Sequence, residues 1–292
     1  MLTVRESLEK KLNEIVQLPT RPEILFMVDK AMRDETAGAD RIARIIREDP
    51  SLTTSVLRVA NSIIYRGQLS SKISSVKIAV ARLGFSEVQR ICISTILIRS
   101  FKAYGAGIDH DDFWKHCLTV GLATRIFLNY TSNKNLLKKD EIDDAFVAGL
   151  LHDIGLLIMD QYFPEQLAEA QALARTKLIA LAKAEQELFG IHHGEIGGIL
   201  LKNWDLPERV VAGVTWHHDP DYSKPEFRHV AQMVHLADFI CVNQSIGQAL
   251  EGLYDGFSAG AWYDLGLSVD QAPSILEDLK VEMERSEIMR AA

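Results

Sequence analysis

The sequence predicts an all-α protein: a two-part helical bundle in which an N-terminal helical subdomain precedes a second helical subdomain. Three observations lead there. Apolar residues recur three or four positions apart through nearly the whole chain, no stretch alternates at period two long enough to make a strand, and proline, glycine and capping residues break the pattern at helix-length intervals.

Taken in order, Val4, Leu8, Leu12 and Ile15 mark an opening helix. Leu18-Pro19-Thr20-Arg21-Pro22 stops it, because two prolines cannot continue the hydrogen-bond ladder. A second helix is expected around Glu23 to Arg33, followed by a turn at Gly38, and Ile42, Ile45 and Ile46 form the stripe of a third. Asp49-Pro50 fits an N-cap with proline in the first turn, opening a helix through Leu52, Val56, Leu57 and Ala60 to Asn61-Ser62. Ser74 or Ser75 starts the next, which ends at Leu83-Gly84 with glycine placed for a left-handed cap. Ser86-Glu87-Val88-Gln89 matches a capping box and opens a long apolar helix to about Tyr104. Gly105 to Asp109 is the expected internal boundary, dividing residues 1–107 from 108–250. Helices are then expected around 111–130, 140–160, 164–175, 177–189, 193–203, 207–217 and 227–245. Residues 251–292 form an extension of one or two weaker amphipathic helices after a loop at Gly252 to Gly260.

Bulk properties narrow the function classes. Hydrophobic residues make up 47% and charged residues 25% of the 292, an ordinary soluble composition. A net charge of −8 argues against direct nucleic-acid binding or adhesion to anionic membranes, both of which need clustered Lys and Arg. The most apolar run, Ile91 to Ile98, is far shorter than the ~20 residues a bilayer crossing requires. The N-terminus reads as an amphipathic helix rather than a signal peptide. Cys92, Cys117 and Cys241 are far apart in apolar surroundings, as small buried hydrophobes in a reducing compartment would be. A cytoplasmic protein is expected.

All nine histidines fall between His110 and His235. His152-Asp153 ends the apolar run Ala145 to Leu151, and burying that aspartate costs several kcal/mol unless a cation or strong donors compensate it. Asp112 and His116 are four apart on one helix and can face the same point. His193 opens a helix with Gly194, Gly197 and Gly198 behind it, His217-His218 sits at a helix end before Asp219-Pro220, and Asp238 lies inside Met233 to Ile240. Each has an ordinary reading: Asp112 a solvated helix-start acid, His218 a surface residue, His152 and His235 core histidines. Together, imidazoles and carboxylates embedded in apolar helices point to a metal centre of one or two divalent transition ions, Fe, Mn, Ni or Zn.

The order His116, His152-Asp153, His193, His217-His218, Asp238 resembles the metal-ligand series of the HD superfamily of metal-dependent phosphohydrolases. Leu150-Leu151-His152-Asp153-Ile154-Gly155 is similar to that family's signature turn, and His193-Gly194-Glu195-Ile196-Gly197 to a segment of its HD-GYP branch. Leu18-Pro19, Ile46 through Asp49-Pro50-Ser51-Leu52, Val59-Ala60-Asn61-Ser62, Ala79 through Leu83-Gly84, and Phe113-Trp114 together resemble the HDOD domain, over roughly residues 15–245. The resemblance implies a bacterial helical signalling module whose second subdomain is HD-like. By the same resemblance, His116, His152, Asp153 and Asp238 hold one ion. His193, with His217 and His218, supports a second, Asp153 bridging and acting as the catalytic residue if the site turns over.

Two departures weigh on catalysis. Leu156 stands where catalytic relatives commonly carry a phosphate-contacting lysine, and Asp219-Pro220-Asp221-Tyr222-Ser223 replaces a Gly-Tyr-Pro motif. A phosphoryl substrate needs positive charge around its oxygens, which only Arg125, Lys202 or Arg209 could bring from other helices. Three functions follow: a regulatory module acting on an unidentified signalling partner or sensing a ligand, a phosphohydrolase of a nucleotide or cyclic dinucleotide, or a di-iron oxygenase-like enzyme. Tyr65, Arg66 and the run Ile24-Leu25-Phe26-Met27 are candidate docking features, the run reading first as core.

Overall fold

The structure is a computed structural model. It describes residues 38–62, 72–100, 108–133, 139–204, 206–245 and 256–290, with Arg5, Glu6, Leu8 to Lys10, Met27, Ala31, Tyr65 and Leu136. Most of the second predicted helix, of which Met27 and Ala31 are described and helical, the Pro19–Pro22 stop, most of the expected boundary at Gly105, and the docking candidates Ile24 to Phe26 and Arg66 lie outside these residues. Arg5, Glu6 and Leu8 to Lys10 are helical, as the opening stripe predicts. Among the described residues there are fourteen α-helices and no strand, and no helix is long and apolar enough to cross a membrane.

Two compact units emerge, residues 19–102 with 283–292, and residues 1–18 with 103–282. In the first unit α1 (Ala39–Arg47) buries Ile42, Ala43 and Ile46. Asp49 accepts the N–H of Leu52 at 3.2 Å and so caps α2 (Pro50–Ala60). Asn61 then ends α2 by a side-chain fork: its amide donates to the carbonyls of Leu57 and Ile73 and its oxygen accepts the N–H of Ile73. Ser75 caps α3 (Val76–Leu83), and Gly84 closes it at φ +80°, ψ 162°, a positive-φ turn that is extended rather than left-handed helical. With Gly84 extended, α4 (Phe85–Ser100) starts at Phe85, so Ser86 lies in its first turn instead of capping it. Val88, Ile91, Cys92, Ile93 and Ile96 of α4 join Leu52, Val56, Val59 and Val80 in this unit's core.

The second unit is built from α5 (His110–Tyr130), α6 (Lys139–Leu151), α7 (Ile154–Tyr162), α8 (Pro164–Lys177), α9 (Leu181–Phe189), α10 (His193–Asn203), α11 (Glu208–Thr215), α12 (Arg228–Asn243), α13 (Ala259–Asp264) and, as far as Glu282, α14 (Ala272–Arg290). The single helix expected over 140–160 is two, broken at His152-Asp153. Helices α5 and α6 cross at glycine: a Cβ on Gly149 would lie 2.8 Å from the Gly121 Cα, so side chains at either position would force the axes apart. A Cβ on Gly121 would in turn meet Phe146 and the Leu150 backbone, and Leu118 and Leu122 of α5 are fully buried. α12 packs on α5, α6 and α11, and α10 on α7 and α11. The chain after α12 folds back onto the end of α5, where Tyr130 donates to Asp278 and Thr131 to the Leu265 carbonyl.

Candidate metal centre

His152 and Asp153 form the turn between α6 and α7. Asp153 occupies the N-cap position of α7, where an aspartate ordinarily accepts a backbone N–H, yet its side chain makes no such bond. The carboxylate faces inward. Gly155 makes this possible, since a Cβ there would fall 1.9 Å from the His193 carbonyl oxygen. Backbone therefore meets backbone where α7 passes the start of α10, and Asp153 reaches His193. At that start His192 is the N-cap, in a reciprocal capping box with Glu195, and His193 is the first helical residue. His217 and His218 follow Trp216, the C-cap of α11, while His116 projects from α5 and Asp238 from α12.

These seven side chains converge, and none is more than 8% exposed. His116 Nε2 lies 3.0 Å from Asp238 Oδ1, 3.3 Å from His152 Nε2 and 3.9 Å from Asp153 Oδ2. His152 Nε2 is 3.3 Å from Asp153 Oδ2 and 3.6 Å from Asp238 Oδ1. The other oxygen of Asp153 points elsewhere, 3.3 Å from His193 Nε2 and 3.7 Å from His217 Nε2, and His218 Nε2 is 2.8 Å from His193 Nε2. Three overlapping donor groups result, each with ligand atoms within 4.8 Å of one another: His116-His152-Asp153, His152-His217-Asp238 and His193-His217-His218.

The placement of protons tests whether a cation fits. Carbonyl oxygens only accept, so His152 Nδ1 donates to Gly149 O at 2.8 Å and His217 Nδ1 to Val214 O at 2.7 Å. His193 Nδ1 likewise donates to Glu185 Oε2 at 2.7 Å. With Nδ1 committed in this way, each ring, once its Nε2 carries no proton, turns a bare lone pair into the site. Asp153 Oδ1, His217 Nε2 and both oxygens of Asp238 are buried without a hydrogen-bond partner; the close Asp238–His116 approach is not aligned as a hydrogen bond. Acceptors facing acceptors in a buried site are stable only with a proton or a cation between them. Burial, reinforced by neighbouring imidazoles, holds His217 and His218 well below the ordinary histidine pKa, so they stay neutral. Burial also opposes charge on His152, but the carboxylates of Asp153 and Asp238 outweigh it and raise that pKa well above the usual value. The two aspartates, though burial resists their ionisation, are held below the usual carboxylate range by His152 and its neighbours. Neutral imidazole nitrogens and ionised carboxylates are the donor set that borderline divalent ions take.

All seven predicted ligands are thus together. Asp112 is not; it stays half-exposed in the first turn of α5, its N–H capped by Asp109. His235 is a buried histidine whose Nδ1 donates to the His217 carbonyl at 2.7 Å, holding the backbone of that candidate ligand. The sequence reading missed Glu185. Fully buried in α9, it accepts from both the N–H and the Nδ1 of His193. Its signal was available, because Leu181, Glu185 and Phe189 fall four apart on the buried stripe of α9.

Two of the three cations expected to serve a phosphoryl substrate are paired or exposed. Leu156 is 1% exposed and packed in the core. Arg209 is tied to Asp144 at 3.1 Å and Glu141 at 3.3 Å, and Lys202 is exposed. Among the described residues, every ion pair of Asp153 and Asp238 is with histidine.

Comparison with known proteins places this geometry in context. A sequence profile of the HDOD domain matches residues 18–220. An uncharacterised protein of Treponema pallidum (strain Nichols) is 23% identical over 232 residues, 80% of this chain and 43% of that protein, so the chain spans less than half of that relative. An HDOD domain protein of unknown function from Geobacter sulfurreducens superposes with a TM-score of 0.79 at 24% identity, covering 97% of this chain and 95% of its own. A provisionally named phosphohydrolase from Shewanella amazonensis SB2B gives 0.72 at 23% identity, with 97% and 98% covered. A provisionally named signal transduction protein from Marinobacter aquaeolei VT8 gives 0.74 at 23%, with 97% and 60% covered. At these identities the likeness to solved structures is one of fold.

Proposed function

The chain belongs to the HDOD domain family, and on that footing we propose that it is a bacterial signalling module whose His/Asp metal centre serves ligand sensing or docking of a protein partner. One observation carries the reading: seven candidate ligand side chains converge and are buried, and among the described residues no Lys or Arg pairs with the two aspartates. A centre enclosed in this way suits an ion that holds α5, α6, α7, α10, α11 and α12 in one arrangement. Gain, loss or exchange of the ion would then change the surface those helices present. His116, His152, Asp153 and Asp238 would hold one ion, and His193, His217 and His218 a second.

A phosphohydrolase remains the second reading, because the two oxygens of Asp153 face separate histidine sets, as a bridging carboxylate does. Bound ions supply Lewis acidity toward a phosphoryl group. In that case Asp153 holds both ions, and Glu185 keeps the His193 ring turned to its ligating edge. Elemental analysis of protein purified without chelator, followed by a screen of nucleotides and cyclic dinucleotides for hydrolysis, separates the two. Bound transition metal without turnover is expected. Metal-dependent cleavage would replace the signalling reading with the enzymatic one, and protein free of metal that takes none up would remove both.

A further inference from the structure

We infer that Arg5 is a positioning residue for the second-ion histidines, acting through the corner between α9 and α10; this rests on the metal-centre reading above. α9 carries Glu185, α10 begins with His193, and only Gly190, Ile191 and His192 separate them. Gly190 turns the chain at φ +71°, in the left-handed region. The ring of His193 is held by Glu185 across this corner, so the angle between α9 and α10 sets where His193 Nε2 points.

Arg5 spans both sides of the corner although it lies 185 residues away in sequence. Its Nη1 donates to the Gly190 carbonyl at 2.7 Å, its Nη2 to Glu195 Oε1 at 2.7 Å, and its Nε to Glu9 at 2.9 Å. The Glu195 contact continues inward, since the second oxygen of that carboxylate accepts the N–H of His192, the residue before His193. His192 is itself packed on the site, its ring centroid 5.5 Å from that of His218. One guanidinium thus satisfies an end carbonyl of α9 and neutralises the acid of the capping box that starts α10. Arginine suits this task because its planar fork presents several donors at fixed angles, which the single ammonium of lysine cannot reproduce. Of the His116-His152-Asp153-Asp238 group, held by α5, α6, α7 and α12, it is Asp153 that meets this chain of contacts, its Oδ1 3.3 Å from His193 Nε2.

The test titrates Mn²⁺ or Co²⁺ into metal-depleted full-length protein and follows stoichiometry and the visible cobalt spectrum. Outer-shell partners of metal ligands cost about 10–100-fold in affinity, and Arg5, one contact further out, belongs at about tenfold. In Arg5→Ala the weaker equivalent should lose about that factor with a changed cobalt spectrum, while the other binds as in wild type. Arg5→Lys should lose less. Arg5→Gln, which keeps a donor near Glu195 without the charge, guards against misfolding of the alanine variant, with helicity checked by circular dichroism. Arg5→Ala in a Glu195→Gln background should add a smaller loss than in wild type, because the route runs through that carboxylate. Wild-type affinity and spectrum in both Arg5→Ala and Arg5→Gln would overturn the inference and leave the metal centre standing. Absence of binding in wild type would instead overturn the metal reading, and this inference with it.

Discussion

Asp238 shows how a single residue decides the chemistry. Both of its oxygens are buried without a hydrogen-bond partner, and His116 and His152 approach it with ring nitrogens. Asp238→Asn keeps the shape and removes the charge, so metal affinity should fall by more than the roughly 10–100-fold typical of outer-shell changes. Elemental analysis after dialysis against a fixed metal concentration checks this, and unchanged occupancy would contradict the ligand assignment. Protonation predicts a second outcome at this scale. The raised pKa of His152 means that metal must displace a proton from it at neutral pH. Affinity should therefore weaken as pH is lowered from 8 to 6, with proton release measurable by calorimetry in buffers of different ionisation enthalpy. The ligands were legible because aspartate and histidine inside apolar helices demand an explanation. Glu185 was not, because Ala182-Lys183-Ala184-Glu185-Gln186-Glu187 looks like a solvated helix face unless its phase against Leu181 and Phe189 is followed.

At the level of elements, the site is made by ends and crossings. Four of the seven candidate ligands, His152, Asp153, His217 and His218, lie in turns just beyond helix ends, and His193 is the first residue of its helix. Apolar periodicity fixed the helices but read straight through the break at His152-Asp153, since Leu150, Leu151, Ile154 and Leu157 continue the pattern on both sides. Gly155, just after the break, is required for contact with the His193 carbonyl, 1.9 Å from where a Cβ would sit. Its φ is not positive. Gly155→Ala should thus already cost about 1–3 kcal/mol by overpacking. Because the shift displaces α10 from Asp153, metal affinity should fall along with thermal stability. An alanine variant with wild-type melting temperature and metal content would show that the two helices have room to part.

The whole molecule links ion binding to folding. The all-helical class was legible because helical spacing, caps and breakers agree along the chain, and the family match over residues 18–220 agrees with the motifs that resemble it. Spacing alone does not supply the convergence, which only the family resemblance implied, since His116 and Asp238 meet after α5 and α12 pack around α6. The metal-free protein should be acid-sensitive. His192, His217, His218 and His235 all have lowered pKa values, burial being the main cause, so the unfolded chain binds more protons than the folded one below about pH 6.5 and stability falls there. His152, with its raised pKa, works in the opposite sense, adding stability below that pH which is lost as pH rises through its folded value. Four groups against one make the melting temperature lower at pH 5.5 than at pH 7.5, and the reverse order would contradict the burial described. The most direct test of the central claim is thermal denaturation of chelator-treated protein with and without added Mn²⁺, Fe²⁺, Ni²⁺ or Zn²⁺ at pH 7.5. At a hundredfold excess over Kd at least one of these ions should stabilise the fold by about 2.7 kcal/mol, a rise of roughly 5–10 °C that His152→Ala abolishes. No rise with any of the four, or the same rise in His152→Ala, would contradict the account.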